Sequence, residues 1–300
     1  MCIRCYNKIV MFMNKFLEGK KYIDLDANYY REYLENQYRG KGQPFIIDEE
    51  EYFVRKIVDE KRCYKELIAD EILNVLGLPH VHYYLAKLFD VPCLISKSFR
   101  KDDLIAISGS DVLKKYNTDK KYDIDYMNNL DMITKSLKKI YGEMSNNLME
   151  QINTLFCFDI LFQNRDRKSD NWFILQHCYR RYDNKMICDE VNLAPIFDNE
   201  RILDDDGTVY AMGIFYEDMT TANSSFDSMK DKIKNNNVLK TKLNELIDQI
   251  DENTFLECIS KVENKIGCLI PVEYKEEFLK QYNLRFQQVR DICNSIDLSI

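Results

Sequence analysis

"FQNRDRKSDNWFIL", Phe162 to Leu175, is the stretch whose reading decides the fold. A helix-like run, "LMEQINTLFCFDILF", leads into it, and a strand-like "WFIL" closes it. Between them stand Arg165, Asp166, Arg167, Lys168, Asp170 and Asn171, a density of charge that a core does not accept unpaired. The rest of the chain can supply a frame for such a turn. Its 300 residues can bury one large domain or two lobes. Hydrophobic residues make up 45% and charged residues 31%, an ordinary soluble balance. With a net charge of −8 and a pI near 5.2, general binding to nucleic acid or anionic membranes is disfavoured. Only 9 glycines and 5 prolines argue against a linker-rich or disordered chain.

The 10 cysteines are scattered, and Cys93, Cys157, Cys258 and Cys268 lie inside apolar segments, which suits buried free thiols in a reducing compartment. Cys2 and Cys5 have ligand-pair spacing but no matching second pair, so no zinc finger is expected there. His80 and His82 alternate along "PHVHYYLAKLF" and read as ordinary strand histidines on one face, with no other metal ligand visible nearby in sequence. The run "IVMFM" is too short for a signal core or a membrane span, so a cytoplasmic protein is expected.

Outward from the charged turn, the pattern divides the chain into residues 1–98 and 99–300. The first part reads as strands "PFIID" and "EYFVRKIV", then a helix "CYKELIADEILNVLG" stopped by Gly77 and Pro79, then a hairpin "VHYYLAKLF" and "VPCLISKSF". From about residue 125 helices dominate, interrupted by a β-prone patch from Asn171 to Leu203. The expected class is α+β and bilobal. A small antiparallel sheet with one helix stands against a larger, mostly helical part, and a cleft between them is a common ligand site.

Asp166 and Asn171 stand in a D-x-x-x-x-N relation. In protein kinases this spacing turns the chain so that the carboxylate faces a substrate hydroxyl while the amide oxygen reaches magnesium. Alone the pattern is common. Its setting is more specific: a helix before, a strand after, and Asp198 following the apolar "LAPIF", where a kinase carries its metal-binding Asp. Upstream, Lys56 on the strand "YFVRKIV" suits a phosphate-gripping lysine, on the same face as Val54, with Arg55 competing for the role. Glu66 or Glu71 on the next helix would pair with it. Arg167 and Asp170 read as solvated neighbours, and Trp172 as a packing anchor.

These residues resemble the HipA-like family of bacterial kinases, which have a protein-kinase-like fold and phosphorylate proteins on Ser/Thr. The motif residues are Asp166, Lys168 (where the family usually has His), Asn171-Trp172 and Pro195-Ile196-Phe197-Asp198. "KELIADEILNVLGLP" resembles the family's Glu helix, "LISKSFRK" its hinge and "RGKGQPF" its phosphate loop; the likeness spans roughly residues 38 to 205. Aligned on Leu-Gly-Leu, the helix partner is Glu66, although by helical phase it is Glu71 that lies in the apolar arc. "RGKGQ" departs from G-x-G-x-x-G, and Asp198 is followed by Asn-Glu, not Phe-Gly.

The resemblance implies ATP and Mg2+ as cofactors and a protein substrate with a Ser/Thr hydroxyl. Asp166 and Lys168 become catalytic, Asn171 and Asp198 metal ligands, and Lys56, Glu66, Gly40, Gly42, Gln43, Lys97 and Phe99 nucleotide contacts. The partner-binding N-terminal region of longer HipA toxins is largely missing, which leaves any regulatory or antitoxin-type partner unspecified. Residues 1–95 contain neither Ser nor Thr, so the family's control by phosphorylating a phosphate-loop serine cannot operate in that form; Tyr38 occupies its neighbourhood. The rival expectations are a pseudokinase scaffold for a protein partner, or a kinase acting on a lipid or small-molecule hydroxyl.

Overall fold

The structure is a computed structural model and describes residues 16–25, 43–47 (backbone only), 50–57, 59–88, 91–101, 103–116, 130–164, 166–183, 186–204, 230 and 233–294. The expectations placed on Cys2, Cys5, Tyr38, Gly40 and Gly42 lie outside these residues.

The N-terminal sheet forms from β1 (Ile23–Asp24), β2 (Gln43–Ile47), β3 (Glu50–Lys56), β4 (Tyr83–Leu88) and β5 (Val91–Lys97). Its order is β1-β4-β5-β3-β2, antiparallel except for the β1–β4 edge. Between β3 and β4 runs α1 (Glu60–Val75). Asp59 caps its first turn by accepting from the Arg62 amide at 2.9 Å, and the helix stops at Leu76 before left-handed Gly77 (φ 62°). β3 and the residue just past it contribute to two different clusters. Val54 packs with Ala86, Leu88, Cys93 and Ile95 in a small outer cluster, whereas Ile57 joins the main core.

The second part contains β6 (Leu104–Ser108), α2 (Gly109–Tyr116), α3 (Leu130–Tyr141), α4 (Ser145–Phe162), β7 (Phe173–Arg180), β8 (Met186–Leu193), α5 (Asn237–Ile247), α6 (Glu252–Ile266) and α7 (Val272–Asn294). β6, β7 and β8 form a three-stranded antiparallel sheet beneath the cleft. α4 is buried all round over its second half, from Leu155 to Phe162, where Phe156, Phe158 and Phe162 are fully buried among the other helices. One continuous core runs from α1 (Leu67, Ile68, Ile72) through α4 to α7 (Phe278, Phe286, Val289), so α1 is held by the helical part as well as by its own sheet. The class expected from the sequence, α+β with a small sheet beside a helical body, is the one observed.

One expectation about the cysteines is corrected. Cys93, Cys157 and Cys258 are buried thiols and Cys268 is half-buried, but Cys178 and Cys188 form a disulfide across β7 and β8. The register sets them directly opposite each other, with Cα atoms 4.2 Å apart, a pairing that a sequence separation of 10 conceals. Among the described residues no helix is long and apolar enough to cross a membrane.

Candidate active site

α4 ends at Gln163, whose left-handed backbone (φ 53°) turns the chain abruptly into the charged loop. Asn164 is fully buried and its amide group donates to the Asp198 carbonyl (3.5 Å) and to Asn199 Oδ1 (3.4 Å). Arg167 is the organiser. It is buried and pairs with buried Asp159 through Nε–Oδ2 at 2.9 Å and Nη2–Oδ1 at 3.1 Å. Its remaining donors reach the Asn171 carbonyl (3.0 Å), the Phe197 carbonyl (2.5 Å) and Asn199 Oδ1 (2.6 Å). Burial pushes the Asp159 carboxyl up, and the Arg167 guanidinium opposes it. The expectation that Arg167 is a solvated neighbour is therefore wrong: an intramolecular anion eight residues upstream, on the preceding helix, draws it inward. Asp170 is exposed, as expected.

The loop displays Asp166, half-buried, with the Lys168 ammonium 3.0 Å from its carboxylate. Asn171 donates its side-chain amide to the Asp166 carbonyl at 2.5 Å. Its amide oxygen is the atom suited to a cation. Trp172 is buried and closes the loop as a packing anchor; Gly109 lies so close that any Cβ there would overlap the indole.

Opposite stands the turn after β8. Asp198 has φ 59°, a left-handed backbone unusual for a residue with a Cβ, and its amide donates to the Tyr83 hydroxyl at 3.3 Å. Its carboxylate meets Arg55 Nη1 at 2.5 Å. Arg55 also pairs with Glu200 (2.8 Å) and lies 3.7 Å from Glu66. Glu66 is fully buried and accepts the Asn199 amide with both oxygens, at 2.9 and 2.8 Å. Burial, aided by the Asp198 charge, pushes Glu66 up to about 7 against the pull of Arg55 and the Asn199 amide. Burial also raises Glu200, with Asp198 and Asp166 adding to the effect, so all these acids share one electrostatic neighbourhood. Asp198, Glu200, Glu66 and Asp166 face the cations Arg55, Arg62 and Lys168, four acids to three, and with the Asn171 amide they offer the hard oxygen donors that a magnesium-like ion takes.

Of the neighbours Arg55 and Lys56 on β3, it is Arg55, and not the expected Lys56, that is seen against Glu66 and Asp198. Lys56 is exposed and shares the outer face of β3 with Val54, opposite Cys93, while Arg55 points at Glu66 and Asp198. Sharing the face of a buried valine does not mark the cleft side, because β5 of this sheet buries apolar side chains on both faces. Of the two candidate glutamates, Glu66 faces Arg55 and Glu71 turns to Lys265 at 3.7 Å. At the hinge, Lys97 is exposed and ion-paired with Glu50, while Phe99 packs against Phe173 (6.0 Å) and Phe197 (5.7 Å). Gln43 lies in β2 opposite Val54. Arg55, Asn164, Asn199 and Glu200 complete the site; Glu200 and Asn199 adjoin Asp198 in sequence, and that adjacency was the one signal available for them.

No protein-family model matches the chain, and no curated protein matches it in sequence. Among solved structures, the chain is similar to the proinflammatory kinase CtkA of Helicobacter pylori, at 18% identity and TM-score 0.61, over 83% of this chain and 91% of that one. It is also similar to HipA of Shewanella oneidensis MR-1, solved with HipB and operator DNA, at 12% identity and TM-score 0.60, over 91% of this chain and 74% of that one. At these identities the likeness is one of fold: this chain has the fold shared by CtkA and HipA.

Proposed function

We propose that this chain is an ATP- and magnesium-dependent phosphotransferase acting on a protein Ser/Thr hydroxyl. The observation that carries the reading is the Arg55–Asp198–Glu66 contact, which joins a β3 cation, an α1 glutamate and the aspartate after β8 beside the Asp166–Asn171 loop. The fold shared with the kinase CtkA and with HipA supports it further. In this reading Arg55 holds phosphate oxygens with its forked guanidinium, and Glu66 sets the position of the Asp198 turn through the Asn199 amide. Asp198 and Asn171 hold the metal, which supplies neutralisation of phosphate charge. Asp166 orients the acceptor hydroxyl and takes its proton, and Lys168, paired with Asp166, stands ready to balance charge developing on the transferred group. Since Asp198 is bonded directly to Arg55, nucleotide binding requires the guanidinium to exchange that carboxylate for phosphate.

That same ion pair favours a second reading, a scaffold in which Arg55 permanently occupies the metal-binding carboxylate. The two readings separate in one experiment. Purified protein is incubated with labelled ATP, magnesium and, in parallel, protein, lipid and small-molecule acceptors, while melting is followed with and without MgATP. The kinase reading expects label on a protein Ser or Thr, lost in Asp166→Ala. It also expects about 2.7 kcal/mol of stabilisation at 100 times the dissociation constant. A melting curve blind to MgATP, with no label transferred, leaves only the scaffold; label on lipid or a small molecule replaces the protein substrate.

A further inference from the structure

One turn beyond Glu66 on α1, Asp70 is buried and points at two histidines in the segment leading into β4. Its Oδ1 lies 3.0 Å from His80 Nε2 and 3.0 Å from His82 Nδ1. All three ligand-capable atoms fall within 4.8 Å of one another. The other oxygen, Oδ2, accepts the Tyr83 amide at 3.1 Å and the Lys265 ammonium from α6 at 2.8 Å, so the carboxylate is held from behind with Oδ1 turned to the rings.

The His80 ring decides what this cluster is for. Its Nδ1 is 2.6 Å from the Leu78 carbonyl, and a carbonyl only accepts, so Nδ1 carries its proton. In the neutral ring Nε2 is then a bare lone pair facing a carboxylate oxygen 3.0 Å away, two acceptors that repel unless a positive charge joins them. A histidine bound to metal through one nitrogen commonly donates the other to a backbone carbonyl in this way, and the Lys265 and Tyr83 bonds to Asp70 have the same orienting character. A tetrahedral ion with bonds of about 2.0–2.1 Å sets its ligand atoms about 3.3 Å apart, within a few tenths of an ångström of the two distances from Asp70 Oδ1 to the histidine nitrogens. The His80 side chain is 5% exposed but that of His82 is 57% exposed, which gives an ion a route in and leaves room for water in the remaining coordination position.

We propose that Asp70, His80 and His82 form a binding site for a zinc-class divalent cation, separate from the phosphotransfer cleft. Two imidazole nitrogens and one carboxylate suit zinc, cobalt or nickel better than magnesium. Such an ion ties α1 to the segment leading into β4, where His80 bridges Ile196 two residues before Asp198. Through Lys265 it also leans on α6. It therefore steadies the three elements that carry Glu66, Tyr83 and Asp198. The proposal does not depend on the phosphotransfer reading.

The test uses the full chain stripped with a chelator and titrated with cobalt chloride in excess magnesium chloride, so that oxygen-rich sites are filled. The expected result is one equivalent of cobalt with weak visible bands and no thiolate charge-transfer band, bound at least about tenfold more weakly by His82→Ala. Because His82 is exposed, that variant keeps its fold, and a melting curve checks it. Nitrogen-15 spectra of the histidine rings give a second readout: equimolar zinc should shift the His80 and His82 signals. The proposal is overturned if cobalt binding is the same in wild type and His82→Ala. It is equally overturned if His80 is doubly protonated at neutral pH and zinc leaves both rings unchanged, because a proton then fills the place assigned to the metal.

Discussion

Replacing Arg167 with Met removes the guanidinium and keeps most of the side-chain volume. Asp159, fully buried and bonded twice to Arg167, is left as an uncompensated charge. Breaking one half of such a pair costs about 3–5 kcal/mol. The carbonyls of Asn171 and Phe197 and the Asn199 amide oxygen also lose their donor, adding about 1 kcal/mol once water enters to share them. The expected loss is therefore about 4–6 kcal/mol. For a chain of this size, at about 2 °C per kcal/mol, Arg167→Met should melt about 8–12 °C below wild type by calorimetry. Adding Asp159→Leu removes the stranded charge, and the double variant should recover about 6 °C or more. Its phosphotransfer should stay lost, because the loop carrying Asp166 and Asn171 is still unfastened from the Phe197–Asn199 turn. Melting of Arg167→Met within about 2 °C of wild type, or no recovery in the double variant, would refute the assignment of Arg167 as the bolt between the two halves of the site.

Arg55→Ala should abolish phosphotransfer and weaken MgATP binding measured by calorimetry, Arg55→Lys should retain part of both, and Lys56→Ala should change neither by more than about twofold, since it is Arg55 that meets Asp198 and Glu66. In the metal-free chain at acid pH, where a second proton fills His80 Nε2, Asp70 is held down to about 2: burial works against its charge, but His80, Lys265 and the Tyr83 amide outweigh it. A depressed carboxylate stabilises the fold above its unfolded pKa of 3.8 and loses that contribution as pH falls toward 2, so about 2 kcal/mol should disappear between pH 4 and pH 2 in urea unfolding, and Asp70→Asn should flatten that slope. Gly109→Ala should destabilise by about 1–3 kcal/mol in the same assay, because a methyl there overlaps the Trp172 ring; an unchanged midpoint would mean the indole is not packed as described.

What the sequence determined by itself was local. The apolar arc of α1 and its Gly77 stop, the apolar run in α4, and the hairpin of β4 and β5 are all carried by neighbours a few residues apart, and these elements are observed, with α1 beginning three residues before its apolar pattern. The order of acid, amide and acid at Asp166, Asn171 and Asp198 was equally legible, because a loop of fixed spacing is a local object. Tertiary structure decided everything that depends on which face meets what. Arg55 and Lys56 are adjacent, and only the position of α1 and the Asp198 turn, set by the shared core, selects Arg55 for the cleft. Arg167 reads as a surface charge until Asp159 is found beneath it. His80 and His82 read as plain strand residues until α1 brings Asp70 within 3.0 Å of each. In all three cases the partner lies on another element, and a charge is buried or exposed according to whether the fold delivers its counter-charge, a fact that no window of consecutive residues contains.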